Sequence, residues 1–274
     1  MKKLGFILLV SCIGFQSFAQ AVKTPAPSPA QTIKQDFGLS AVEINYSRPA
    51  AKGRKIFGDI VPFGKLWRTG ANSPTKITFG EDVKIAGKDL KAGSYQVLSI
   101  PSQGNWEVIF NKGNNGVFNY HPEEDVLKVN VPSQTTTSAL ENFTIQFANI
   151  SANKMEMVMA WENTRVSVPI EVDIDSKIMS SIDRAMSIDT KPYFEAASYY
   201  FETGRDLNKA LEWVNKATQA NPTAYWQFHL KAKIQAKMGD KAGAKATALK
   251  SIELAKAGKN DDYVALNEKL INSL

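Results

Sequence analysis

From Val42 onward, apolar side chains alternate with polar ones, the two-residue period of a half-buried strand. Val42, Ile44 and Tyr46 form the first such face. Ile77 with Phe79, Tyr95 with Val97, Trp106 with Val108 and Phe110, and Leu127 with Val129 and Val131 repeat it. Phe143, Ile145 and Phe147 follow, then Met155, Met157, Met159 and Trp161, then Val166, Val168, Ile170 and Val172. Turn residues separate several of these runs: Ala86-Gly87-Lys88, Ala92-Gly93, Gln103-Gly104-Asn105 and Glu162-Asn163-Thr164. Short strands joined by turns, with no helical period between them, predict an all-β antiparallel sandwich or barrel. The methionine stripe keeps the strand period and reads as core rather than as an adaptable binding face.

After Val172 the period lengthens. Ile174, Ile178, Ile182 and Met186 are four apart, on one face of a helix. Helices are predicted at 176–187, 191–203, 207–220, 223–237, 241–256 and 261–272. Ala210, Leu211, Val214, Ala217 and Pro222 resemble the second helix of a tetratricopeptide repeat and its terminating proline. Advancing 34 positions carries Asp206 to Asp240, Ala210 to Ala244 and Val214 to Ala248, the repeat length of that family. The fold class is therefore α+β and multidomain, with an all-β half at 31–172 and an α-helical, tetratricopeptide-like half at 173–274.

Lys2 and Lys3 precede an apolar run from Leu4 to Phe15, and Ser17 and Ala19 place small residues before Gln20. This is the pattern of a signal peptide over 1–19, with export to the periplasm or cell envelope. The run is too short to span a bilayer as a mature helix, and no later segment is long enough, so no transmembrane segment is expected. Leu9, Val10, Ser11 and Cys12 resemble a lipobox, but Cys12 comes early and apolar residues follow it, which favours cleavage after Ala19 over lipidation. Pro25, Pro27 and Pro29 make 20–30 an extended tether.

Composition narrows the function. With 43% hydrophobic and 22% charged residues the 274-residue chain is globular, neither disordered nor collagen-like. One cysteine and two histidines exclude a disulfide scaffold and a Cys/His zinc site within one chain, so neither metal nor cofactor is expected. Removing Lys2 and Lys3 leaves 31 basic and 27 acidic residues, too mild a balance for nucleic acid.

The charge is concentrated in one place. Between Ser47 and Ser73, Arg48, Lys52, Arg54, Lys55, Lys65 and Arg68 face only Asp59, while Gly and Pro interrupt any regular element. Ile56, Phe57, Ile60, Val61, Phe63, Leu66 and Trp67 are too apolar for disorder, and a long ordered loop is usually functional. Here Tyr46-Ser47-Arg48-Pro49, Lys52-Gly53-Arg54, Ile56-Phe57-Gly58, Val61-Pro62, Gly64 and Trp67 to Asn72 resemble the domain-of-unknown-function 2911 family. Ala92, Gly93, Tyr95, Ile100, Pro101, Trp106, Ile109 and Asn111 extend the resemblance, which covers about 28–172. It implies an exported all-β domain and supplies no catalytic residue.

Chemical motifs are sparse. Gly58, Gly64 and Lys65 have the wrong spacing for a phosphate loop, and no serine sits in a nucleophile elbow. The expected ligand site is Arg48, Lys52, Arg54, Trp67, Arg68 and Asn72: arginine forks grip carboxylate, phosphate or sulfate, and a tryptophan face stacks on a sugar. The competing reading of these arginines is that they donate to loop carbonyls. The preferred function is a non-catalytic envelope module that binds an anionic or carbohydrate-like ligand, with helical repeats for a protein partner. The alternative is a hydrolase or lyase using the loop arginines and an acid/base near His121, which sits beside Glu123, Glu124 and Asp125.

Overall fold

The computed structural model describes residues 24–113, 116–188 and 191–274; the expected signal peptide, the lipobox-like Cys12 and the start of the expected tether lie outside them. The chain divides between Asp173 and Ile174 into two compact units.

The first unit holds nine strands: β1 (Ala30–Phe37), β2 (Ser40–Ser47), β3 (Thr75–Phe79), β4 (Val83–Ile85), β5 (Lys88–Leu90), β6 (Gly93–Pro101), β7 (Asn105–Asn111), β8 (Asp125–Ala148) and β9 (Lys154–Glu171). They form one sheet in the order β1-β2-β3-β6-β7-β8-β9-β4-β5, every pair antiparallel. Strand β8 is shared, its first third pairing with β7 and the remainder with β9. The Tyr46 hydroxyl of β2 donates to the Ile145 carbonyl (3.1 Å) and accepts from the Ile145 amide (2.9 Å) on β8. Two strands four places apart in the order thus face each other, and the sheet folds over its own core while β1 and β5 remain its edges.

The alternating residues fill that core. Val42, Ile44, Ile77, Phe79, Val97, Val108, Phe110, Val129, Ile145, Met157, Met159, Val166, Val168 and Ile170 are all buried. Burial of each such side chain is worth about 1.5–3 kcal/mol. Strand β1, absent from the sequence-based strands, turns Gln31, Ile33, Gln35 and Phe37 toward the sheet interior, and two glutamines at an edge dilute the apolar period. Strands β4 and β5 have three residues each, too short to show one.

The second unit comprises α1 (Asp175–Ala185), α2 (Tyr193–Glu202), α3 (Leu207–Ala220), α4 (Tyr225–Lys237), α5 (Lys241–Ala257) and α6 (Asp261–Asn272). Asp206 caps α3 by accepting from the Asn208 amide (2.8 Å), and Asp240, one 34-residue period later, caps α5 by accepting from the Gly243 amide (2.8 Å). Such caps satisfy amides that the first helical turn leaves without partners. Ala196, Ala197, Ala210, Ala232, Ala244 and Ala248 are fully buried, letting neighbouring helices approach closely, while Tyr200, Trp213, Leu230 and Ile234 supply bulk. None of the helices among the described residues is long and apolar enough to cross a membrane.

Candidate functional site

The long basic segment between β2 and β3 is built onto the sheet by backbone bonds. The Ala51 amide donates to Glu141 O (2.7 Å) and the Phe143 amide to Pro49 O (2.9 Å), where β8 loses register with β9. Further along, Trp67 and Ser99 exchange both backbone bonds (2.7 and 2.9 Å), so the segment extends the lane that β3 occupies beside β6. Two carboxylates complete the anchoring: Glu141 accepts from the Lys52 amide (2.8 Å) and Glu162 from the Ile56 amide (3.1 Å).

Within this frame the structure places the six candidate residues as follows. Arg48 donates from Nε to Phe143 O (3.2 Å) and from a terminal nitrogen to Thr144 Oγ1 (2.9 Å). Arg54 donates to Ala51 O and Ala50 O, both at 2.9 Å. Arg68 donates to Asn72 O (2.7 Å) and lies 4.9 Å above the ring of Phe118, while Asn72 donates to Ser28 O (3.0 Å). Lys52 is exposed and engaged through its backbone. Trp67 sits among rings, stacked on Trp161 (6.1 Å) and meeting Phe57, Trp106 and Phe143 at 5.0–6.0 Å, with Nε1 donating to Gly70 O. The guanidinium groups thus grip loop and strand acceptors, and the Trp67 ring joins the aromatic core.

Two other side chains of the same segment, Phe57 and Phe63, meet residues of the β6–β7 turn and of β7, β8 and β9 at an opening. A cleft of about 210 Å³ is lined by Phe57 and Phe63 of the basic segment, Ser102, Gln103 and Gly104 of the β6–β7 turn, Trp106, and Ser133, Gln134, Thr135 and Thr164 of β8 and β9. Phe63 is 38% exposed. Its ring lies over Gly58, which has φ +87°; a β-carbon there would stand 2.7 Å from the ring. Ser102 Oγ is committed to Asn105 O, whereas no side-chain hydrogen bond among the described residues engages Gln103, Ser133, Gln134, Thr135 or Thr164. Among the described residues no titratable side chain lines the cleft. Sequence reasoning missed it because the lining converges only through strand pairing; the exposed phenylalanine between Pro62 and Gly64 was the available signal.

His121 lies at a 3₁₀ turn (Pro122–Glu124), with Nδ1 at 3.1 Å from Glu123 Oε1. Beyond it, burial and the Asp125 hydrogen bond push the Tyr120 hydroxyl up to about 12. Burial would raise the Asp125 carboxyl, but bonds from Lys128, Tyr120 and Asn111 outweigh it and hold the group below its usual range. This network pins Tyr120 and His121 to β7 and β8. Among the described residues no group of three or more His, Cys, Asp or Glu side chains is placed to hold a metal ion.

No curated protein and no solved structure matches the chain. One family model does, over residues 28–170, which run from the Ser28 carbonyl that holds Asn72, through the anchored basic segment and the cleft, to the last core residue of β9. That match takes in more than half of the chain, which belongs to the family described as protein of unknown function (DUF2911).

Proposed function

We propose that the chain is an exported, non-catalytic binding module of the cell envelope whose β-unit holds a carbohydrate-like ligand in the cleft beside Phe63. The helical unit, read as tetratricopeptide-like repeats, holds a protein partner. The observation carrying the ligand reading is the lining itself: an aromatic ring at the mouth and five hydroxyl or amide side chains with no side-chain hydrogen bond among the described residues. Sugars present faces of C–H groups to aromatic rings and hydroxyls to neutral donors and acceptors. A site without titratable groups offers nothing for acid/base catalysis. At about 210 Å³ the cleft is below the roughly 300–1,000 Å³ of ordinary ligand pockets, a size for one sugar ring rather than an extended cofactor. The basic segment then serves as a rigid frame, its arginines fixing the backbone that presents Phe57 and Phe63.

The test is calorimetric titration with neutral disaccharides (cellobiose, maltose, lactose and N,N′-diacetylchitobiose), using wild type, Phe63→Ala and Gln103→Ala. Saturable binding that weakens about tenfold in Phe63→Ala, with the melting temperature retained, is the expected result. Absence of binding across the panel, or binding indifferent to both substitutions, refutes the reading.

A further inference from the structure

A second opening lies on the outer face of the sheet, apart from the cleft. It has a volume of about 270 Å³ and is lined by Lys76 of β3, Ser94, Tyr95 and Gln96 of β6, and Lys112 and Gly113 just after β7. Strand register explains the convergence. Lys76 pairs with Gln96 and Gln96 with Asn111, so one row crosses three strands and ends beside Lys112. Outward-facing glutamine is ordinarily solvated, yet Gln96 is only 5% exposed. Its Oε1 accepts from the Gly116 amide (3.0 Å), and its Nε2 reaches one acceptor among the described residues, Asn111 Oδ1, at a long 3.4 Å. A buried amide nitrogen carries two N–H groups, and leaving one without an acceptor is costly.

The lysines point to the chemistry of that acceptor. Lys84, Lys91, Lys128 and Lys154 of the same unit each hold a carboxylate within 3.2 Å. Among the described residues neither Lys76 nor Lys112 does, nor do Lys34, Lys52, Lys55, Lys65 and Lys88, but these two alone share the lining of one opening with the buried Gln96. One carboxylate stands at the rim: Glu124 Oε2 lies 2.0 Å from where a β-carbon on Gly113 would be. Two ammonium groups against one carboxylate leave a net positive opening, which favours a doubly charged guest over a single carboxylate. Lysine ammonium groups act as point donors rather than planar forks, a set suited to the oxygens of a tetrahedral anion.

We propose that the Lys76–Gln96–Lys112 opening is a binding site for a phosphate- or sulfate-type oxyanion. The group sits between the two ammonium groups, with Gln96 Nε2 donating from below and the Ser94 hydroxyl at the side. Ser94 Oγ shares a hydrogen with Thr78 Oγ1 (2.7 Å), and with Thr78 as donor the Ser94 hydrogen is available to the guest. The source is either the free inorganic ion or an ester group on a larger molecule, and the guest chemistry is the same.

Calorimetric titration of wild type with inorganic phosphate, sulfate and methyl phosphate, at constant ionic strength set with sodium chloride, tests the site. Saturable binding is expected, weakened about fivefold by Lys76→Gln or Lys112→Gln and lost in the double variant, whose melting temperature stays at the wild-type value. Tighter binding of methyl phosphate than of inorganic phosphate assigns the ester as guest; the reverse order assigns the free ion. Absence of saturable binding, or binding that survives in the double variant, overturns the site. None of these probes carries a sugar ring, so the outcome of the disaccharide titration is independent of this one.

Discussion

Arg48 and Lys52 stand four residues apart in the basic segment and do different work. The Arg48 guanidinium bridges to Phe143 O and Thr144 Oγ1 on β8, whereas the Lys52 side chain is exposed and only its backbone amide is held, by Glu141. A lysine at position 48 keeps the charge but cannot make both bonds at once, because it lacks the planar fork. The expected loss is about 1–3 kcal/mol for the acceptor left unsatisfied, or a fall of several degrees in melting temperature. Lys52→Gln is expected to leave the melt unchanged. A thermal melt of both variants checks this, and equal behaviour would show that the arginine bridge is not a brace. The sequence displayed these residues as an excess of charge. It did not display which carbonyls they reach, because Phe143 lies 95 positions away.

Between elements, the helical unit carries its own polar clamp. Asn267 of α6 is fully buried; its Oδ1 lies 2.9 Å from His229 Nδ1 on α4, and its Nδ2 donates to Ser251 Oγ on α5 (2.9 Å). Ser251 in turn donates to Tyr225 O (2.7 Å). Burial lowers the His229 pKa, outweighing the Asn267 hydrogen bond that raises it. Below the ordinary histidine value of about 6.5 the unfolded chain therefore takes up a proton that the native state resists. Stability contributed by neutral His229 is complete above that value and declines as pH falls toward the lowered native pKa. Urea unfolding at pH 7.5 and pH 5.5 is expected to show a lower midpoint at pH 5.5, with the difference reduced in His229→Gln. A difference of the same size in His229→Gln would place the titration elsewhere. The capping aspartates, by contrast, were legible as a 34-residue period, since capping is local chemistry and repeats with the helices.

For the whole molecule, the division between Asp173 and Ile174 falls where the hydrophobic period passes from two residues to about four. Limited proteolysis with a broad-specificity protease is expected to cut between about Glu171 and Asp175 before it cuts within the strands or helices, because exposed connections open at little free-energy cost. Mass spectrometry of the first fragments decides it, and early cleavage inside β8 or β9 would show the units to be one cooperative body. What the sequence determined by itself is whatever depends on near neighbours: the alternation of Val42, Ile44 and Tyr46, the fourfold spacing of Ile178 and Ile182, the 34-residue recurrence of Asp206 at Asp240, and the family pattern in the basic segment. Tertiary structure alone decided that the Trp67 ring lies among Phe57, Trp106, Phe143 and Trp161, that Arg48, Arg54 and Arg68 hold main-chain acceptors, and that Phe63 meets Gln103 and Thr164 at a cleft. The reason is register. A strand side chain is assigned to one face by its neighbours, but what it meets across the sheet is set by pairings tens of residues distant, and no local pattern encodes those partners.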